Sequence, residues 1–251
     1  MPEPRDRAVP DEPRSPWLRG GFVLAAAFVG FVTVIGAAIA VGADTPDGDD
    51  PTTTARTPGA RATAPAAPSG ADCPALADDV QDVPATAPTD LTWTLYGSVA
   101  LPASEAAGPA VTDGDVARCY ARTPLGALLA TSQISVRYLA AGDWLAVTRA
   151  QTVGAGRDAY LAERRAAERT APPDAGARGA VHGQIAGFRF VTYHDTTAVI
   201  QTVWRFPDGR MQAATTTVLW RDGDWRLEYP ADPVAPTPVD SLAGYTEWGG
   251  V

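Results

Sequence analysis

The sequence predicts an α+β protein with a single membrane-spanning helix and a folded domain outside the cytoplasm. In that domain two or three helices pack on a curved antiparallel sheet of about four strands. Three observations predict it. Residues 20–43 form a charge-free apolar run. Residues 123–169 show apolar residues at helical spacing between capping signals. Residues 185–229 alternate β-branched and aromatic residues with polar ones, broken by turn signals. Helices followed by an antiparallel meander form the α+β pattern.

The run GGFVLAAAFVGFVTVIGAAIAVGA is the first element. About 20 apolar residues in a helix cross the ~30 Å hydrocarbon core. A cleaved signal peptide is the competing reading, with Val41-Gly42-Ala43 as its cleavage site, but its apolar region is normally about 7–15 residues. Arg5, Arg7, Arg14 and Arg19 precede the run, whereas Asp44, Asp47, Asp49 and Asp50 follow it. Arginine on one flank sets the orientation, so 1–19 is expected as a cytoplasmic tail, 20–43 as the transmembrane helix and 44–251 as extracellular. Gly30 and Gly36 do not form a GxxxG dimer face.

Residues 44–90 are rich in Pro, Thr, Ala and Asp and carry nine acidic residues against two arginines. Few of them could nucleate a core, so the segment is expected as a disordered acidic linker or extended stalk. Most of the net charge of −9 belongs to this segment. There is no Lys or Asn in the chain, so all 20 basic residues are Arg. With the high Ala content, this points to a GC-rich genome such as an actinobacterium's. An acidic chain without a basic cluster excludes direct nucleic-acid binding as its main task. Cys73 and Cys119 are the only two cysteines. Outside the cytoplasm an even count favours a disulfide over two separate thiols, and closing this loop is worth about 4 kcal/mol in the chain-entropy model.

The folded domain is expected over 91–230, with 231–251 as a C-terminal tail. LTWTLYGSVALP reads as one strand or extended arm ending at Pro102; the following ASEAAGPAVTDGDVA is turn-rich. Thr123-Pro124 marks a helix start, and Leu125, Leu128, Leu129, Val136 and Leu139 fall on one helical face. Asp143 caps a second helix carrying Trp144 and Val147, which Gly154 and Gly156 end. A charged third helix follows near 157–169, with Glu163, Arg164, Arg165, Glu168 and Arg169 as a solvated face. After a loop at Pro172-Pro173 come four strands, at 185–193, 197–206, 211–221 and around Trp225, Leu227 and Tyr229. Pro207-Asp208-Gly209 and Asp222-Gly223 supply their turns. The helix stripe is expected to lie against Trp204, Val218 or Trp220, and Trp225. This element order is similar to a cystatin-like or nuclear-transport-factor-like roll.

Residues that could carry chemistry are sparse. His182 and His194 stand twelve apart with no Cys or clustered Glu at ligand spacing, so no metal is expected. Ser98, Ser104 and Ser132 lack a nucleophile elbow, and GAGRDAY (154–160) lacks the lysine of a phosphate loop. No catalytic residue and no cofactor are expected. Tyr193, Trp204, Trp220, Trp225 and Tyr229 either line a pocket in the roll or fill its core. Arg189, Arg205, Arg210, Arg221 and Arg226 are spread along the strands and, by alternation, share the outer face with threonines.

The stretches WTLYGSVALPASEAAGP, CYARTPLGALLA, DWLAV, WRDGDWRL and SLAGYTEWGG, in this order, resemble uncharacterised membrane-anchored proteins of actinobacterial conjugative and mobile elements. The organisation is similar to the small membrane-anchored scaffold subunits of type IV secretion, which carry the same kind of roll outside the membrane. The resemblance implies a non-enzymatic single-pass subunit of a DNA-transfer apparatus. Its partners would be the membrane, other subunits of the complex and further copies of the chain. The alternative is a cell-surface ligand-binding or sensing module that uses a pocket in the roll; an enzyme on the same fold is the third.

Overall fold

The computed structural model describes residues 73–170 and 182–250. All of them belong to one compact unit, Ala62–Val251. The expected transmembrane helix, the cytoplasmic tail, the linker up to residue 72 and the Pro172-Pro173 loop lie outside the described residues. Among those described, no helix is long and apolar enough to cross a membrane.

The fold is α+β, with three helices and a mainly antiparallel sheet among the described residues. Two small hairpins come first. Strands β1 (Thr92–Tyr96) and β2 (Val99–Ala103) pair antiparallel, Tyr96 opposite Val99. The stretch expected as one strand is therefore a hairpin. Gly97, at φ +59, makes the turn, a left-handed conformation that costs glycine no steric penalty. Strands β3 (Val111–Asp113) and β4 (Val116–Arg118) form the second hairpin within the turn-rich stretch.

Helix α1 (Pro124–Ala140) begins where the capping chemistry places it: the Thr123 hydroxyl accepts from the Gly126 amide at 3.1 Å, and Pro124 occupies the first turn. The helix is buried all round, not along one stripe. Leu128, Leu129 and Ile134 are inaccessible, but so are Ala127, Ala130 and Ser132. The sheet covers one side and the first hairpin another. Leu139, expected on the buried face, is 36 % exposed. Helix α2 (Trp144–Gln151) is capped by Asp143, whose carboxylate accepts from the Ala146 amide at 2.9 Å. Strand β5 (Thr152–Val153) follows, then helix α3 (Arg157–Thr170).

Strands β6 (Gln184–His194), β7 (Thr197–Arg205), β8 (Met211–Arg221) and β9 (Asp224–Glu228) form the expected meander. The complete sheet is larger, with seven strands in place of about four. β5 joins β9 in parallel, β10 (Thr237–Val239) pairs with β8, and β11 (Thr246–Glu247) pairs with β6. The stretch read as a C-terminal tail thus edges the sheet, and its Trp248 is buried, its ring 5.3 Å from Phe188 and 5.1 Å from Trp93.

Two register shifts in β6 determine which side chains enter the core. Ile185, Phe188, Phe190 and Tyr193 stand opposite Trp204, Thr202, Ile200 and Ala198, which alternate regularly along one face of β7. The irregularities between Ile185 and Gly187 and between Phe190 and Thr192 bring all four to that face, although strict alternation would split them. The first hairpin is fixed to the sheet through Gln184, whose side chain accepts from the Ala100 amide at 3.0 Å and donates to the Ser98 carbonyl at 2.5 Å.

Candidate functional site

Three places in the domain concentrate polar or aromatic groups. At the first, β9 meets the chain segment entering α1. Cys73 and Cys119 form the expected disulfide, closing a separation of 46 residues. Cys119 is buried and stands at φ +70, a left-handed conformation uncommon for a residue with a Cβ. Its amide donates to the Asp224 carboxylate at 2.8 Å, and the Tyr120 and Trp225 amides donate to the same carboxylate at 2.9 Å each. Asp224 is almost wholly buried. That burial raises its pKa above the usual carboxylate value, while the three amides and Arg226 pull the other way. Arg118 places a guanidinium nitrogen 3.5 Å from the Cys119 sulfur and 3.9 Å from that of Cys73.

From Cys73 the chain runs as an irregular arm up to β1. Leu76 and Leu91 pack against the core. Gln81 bridges the arm to the domain: its amide donates to the Arg122 carbonyl at 2.8 Å, and its oxygen accepts from the Tyr193 hydroxyl at 2.8 Å. Arg122 in turn pairs with Asp195 at 2.9 Å and lies 5.8 Å from the Trp220 ring.

The five aromatics singled out in the sequence separate here. Tyr193, Trp220 and Trp225 make one cluster, with ring distances of 6.3 Å and 5.5 Å to Trp225. Trp225 is inaccessible and its indole donates to the Ala121 carbonyl at 2.9 Å, pinning the start of α1. Trp204 packs partly buried against the same core, opposite Ile185 and Gln212. Tyr229 belongs elsewhere. It lies 4.8 Å from Tyr160 and 6.4 Å from Tyr138, at the second place, where α1 ends against α3.

There Arg164 lies over the Trp144 ring at 4.2 Å and donates to the Tyr138 carbonyl at 2.5 Å, the Leu139 carbonyl at 2.9 Å and the Tyr160 hydroxyl at 2.8 Å. Those carbonyls belong to the last turn of α1, which has no intrahelical donors for them. Arg164, expected on a solvated face, is a cap supplied from another helix.

The third place is an open groove of about 380 Å³ lined by Arg149, Arg157, Asp158, Leu161, Ala162 and Arg165. Sequence reasoning missed it because Arg149 and the α3 arginines approach only when α2 and α3 pack together.

Of the arginines expected on the outer sheet face, Arg189, Arg205, Arg210 and Arg221 are exposed, whereas Arg226 is buried. Arg189, Gln201 and Thr215 form a hydrogen-bonded row across β6, β7 and β8, at 2.5 Å and 3.0 Å. His182 precedes β6 and exposed His194 ends it, so about ten residues of extended chain, roughly 30 Å, separate them. They cannot share one centre. Among the described residues no group of three or more His, Cys, Asp or Glu could hold a metal ion.

No curated protein and no solved structure matches this chain. Residues 53–247 match a family described as a domain of unknown function (DUF8175). That match spans the disulfide, the three helices and every strand of the sheet, so the chain belongs to the DUF8175 family.

Proposed function

We propose that the protein is a single-pass, membrane-tethered structural subunit of a DNA-transfer apparatus in an actinobacterium, with its folded domain outside the cytoplasm. The observation that carries this reading is the Cys73–Cys119 disulfide. Disulfides persist in oxidising compartments. This one also joins the N-terminal end of the described domain directly to a buried point, which Asp224 ties to the sheet by three hydrogen bonds. A pull on the preceding chain enters the core through Cys119 and bypasses the irregular arm that follows Cys73. That construction suits a domain held by its N-terminal side. The central helix wrapped by a sheet and hairpins is consistent with a cystatin-like or nuclear-transport-factor-like roll, the architecture the resemblance implies.

The test is a crosslinking pull-down of the full chain from membranes of a cell carrying its native gene cluster. Channel-forming membrane subunits and the transfer ATPase should co-purify. Recovery of the chain without them would overturn the reading. A ligand-binding role at the cell surface is the second reading, and the arginine-lined groove favours it.

A further inference from the structure

The groove between α2 and α3 concentrates positive charge. Arg157, Leu161 and Arg165 rise from one face of α3 at four-residue spacing, and Arg149 comes from the last turn of α2. Asp158 pairs with Arg157 at 3.1 Å. Among the described residues, no carboxylate lies within ion-pair distance of Arg149 or Arg165. The lining thus carries three guanidinium groups against one carboxylate. Arg157 also sits in the first turn of α3, where the helix dipole adds positive potential and a carboxylate is the favoured occupant.

Guanidinium groups that share one groove repel one another unless an anion lies among them. Their planar forks match the oxygens of phosphate, which they hold by paired charge-assisted hydrogen bonds. Size refines the ligand. The open groove offers about 380 Å³, against the roughly 10–15 Å³ that one water needs by the same measure, so it has room for more than a bare ion. Leu161, buried against the cluster of Trp144 and Val147, gives it an apolar floor beside Ala162. We propose that this groove binds a small organic phosphate ester, either free or as the headgroup of an anionic lipid. The arginines take the phosphate and the Leu161–Ala162 floor takes the carbon skeleton. This site does not depend on the assembly role proposed above.

The test uses the full chain in phosphatidylcholine nanodiscs, titrated calorimetrically with sn-glycerol 3-phosphate and, separately, with soluble dihexanoyl phosphatidylglycerol. Saturable binding of either probe is expected. Binding should weaken at least about tenfold in the Arg149→Gln/Arg165→Gln variant, which removes two sets of charge-assisted hydrogen bonds. The melting temperature should stay unchanged, since both side chains lie on the groove wall. Arg210→Gln, remote from the groove, should bind like the parent. Binding of glycerol 3-phosphate identifies a free ester as sufficient, and binding of the lipid alone assigns the headgroup; either supports the site. Failure of both probes to bind, or equal binding by the double variant, overturns it.

Discussion

Asp224 shows how one side chain can organise a neighbourhood that is remote in sequence. It collects the amides of Cys119, Tyr120 and Trp225 while almost wholly buried. The left-handed φ of Cys119 costs roughly 1–2 kcal/mol for a residue with a Cβ, and the Asp224 hydrogen bonds offset it. Asp224→Ala would strand these amides, so a loss of about 3 kcal/mol is expected, read as a lower urea midpoint of the full chain. A midpoint equal to the parent's would refute the role. Burial raises the Asp224 pKa despite the amide bonds, so the folded state holds this proton more tightly than the unfolded one. The resulting stability is fully present below the unfolded value, near 4, and is lost as pH rises through the folded value. Asp224→Asn should therefore show a flatter stability profile across mildly acid pH than the parent. The sequence marks Asp222-Gly223 as a turn, and both residues indeed have positive φ. Nothing local distinguishes Asp224 from another polar turn residue, because its partners at Cys119 and Tyr120 lie over a hundred residues away.

Elements with local causes are legible in the sequence; those made by tertiary pairing are not. Thr123-Pro124 and Asp143 start helices where capping chemistry predicts, because a cap involves only neighbouring residues. The β1–β2 hairpin is obscured because Gly97-Ser98 is a weaker turn signal than Asp-Gly and because Pro102, read as an end, lies within β2 opposite Trp93. β5 and β11 are two residues each and exist only because β9 and β6 offer edges. The α1–α3 junction follows the same logic. Arg164 looks like one more charge on a polar helix until α1 presents its terminal carbonyls. Arg164→Ala removes two caps and the stacking on Trp144, with an expected cost of about 1–2 kcal/mol. Arg164→Lys keeps the charge but not the fork and should recover less than half of it. Chemical denaturation of the full chain checks both, and full recovery by Lys would show that charge alone matters.

Across the whole molecule, stability is divided between a covalent closure and a core that holds buried Tyr120 with several half-buried tyrosines around it. Cys73→Ser should cost up to about 4 kcal/mol through the enlarged unfolded ensemble and abolish the mobility difference between reducing and non-reducing gels. Identical migration of the parent under both conditions would remove the disulfide from the account. The tyrosines govern the alkaline limb. Burial raises Tyr120 and Tyr138 well above the usual 10, while Tyr96 and Tyr229 are each pushed up to about 12. Tyr96 is shifted further by its hydrogen bond to Asp115, at 2.6 Å. Above pH 10 the unfolded chain releases these protons while the folded chain retains them. The stability they contribute is intact below pH 10 and lost as pH climbs towards the folded values. Tyr120 and Tyr138 each steepen the loss by about 1.4 kcal/mol per pH unit. The chain has no lysine, so no ammonium side chain titrates across this range to blur the transition. The phenolate absorbance of Tyr120 and Tyr138 should therefore appear together with the loss of far-ultraviolet circular dichroism, in one step above about pH 10. Tyr138→Phe should move that step to higher pH by removing one ionisable group. Phenolate formation that runs to completion while the dichroism stays native would show that these tyrosines are accessible to solvent in the folded state.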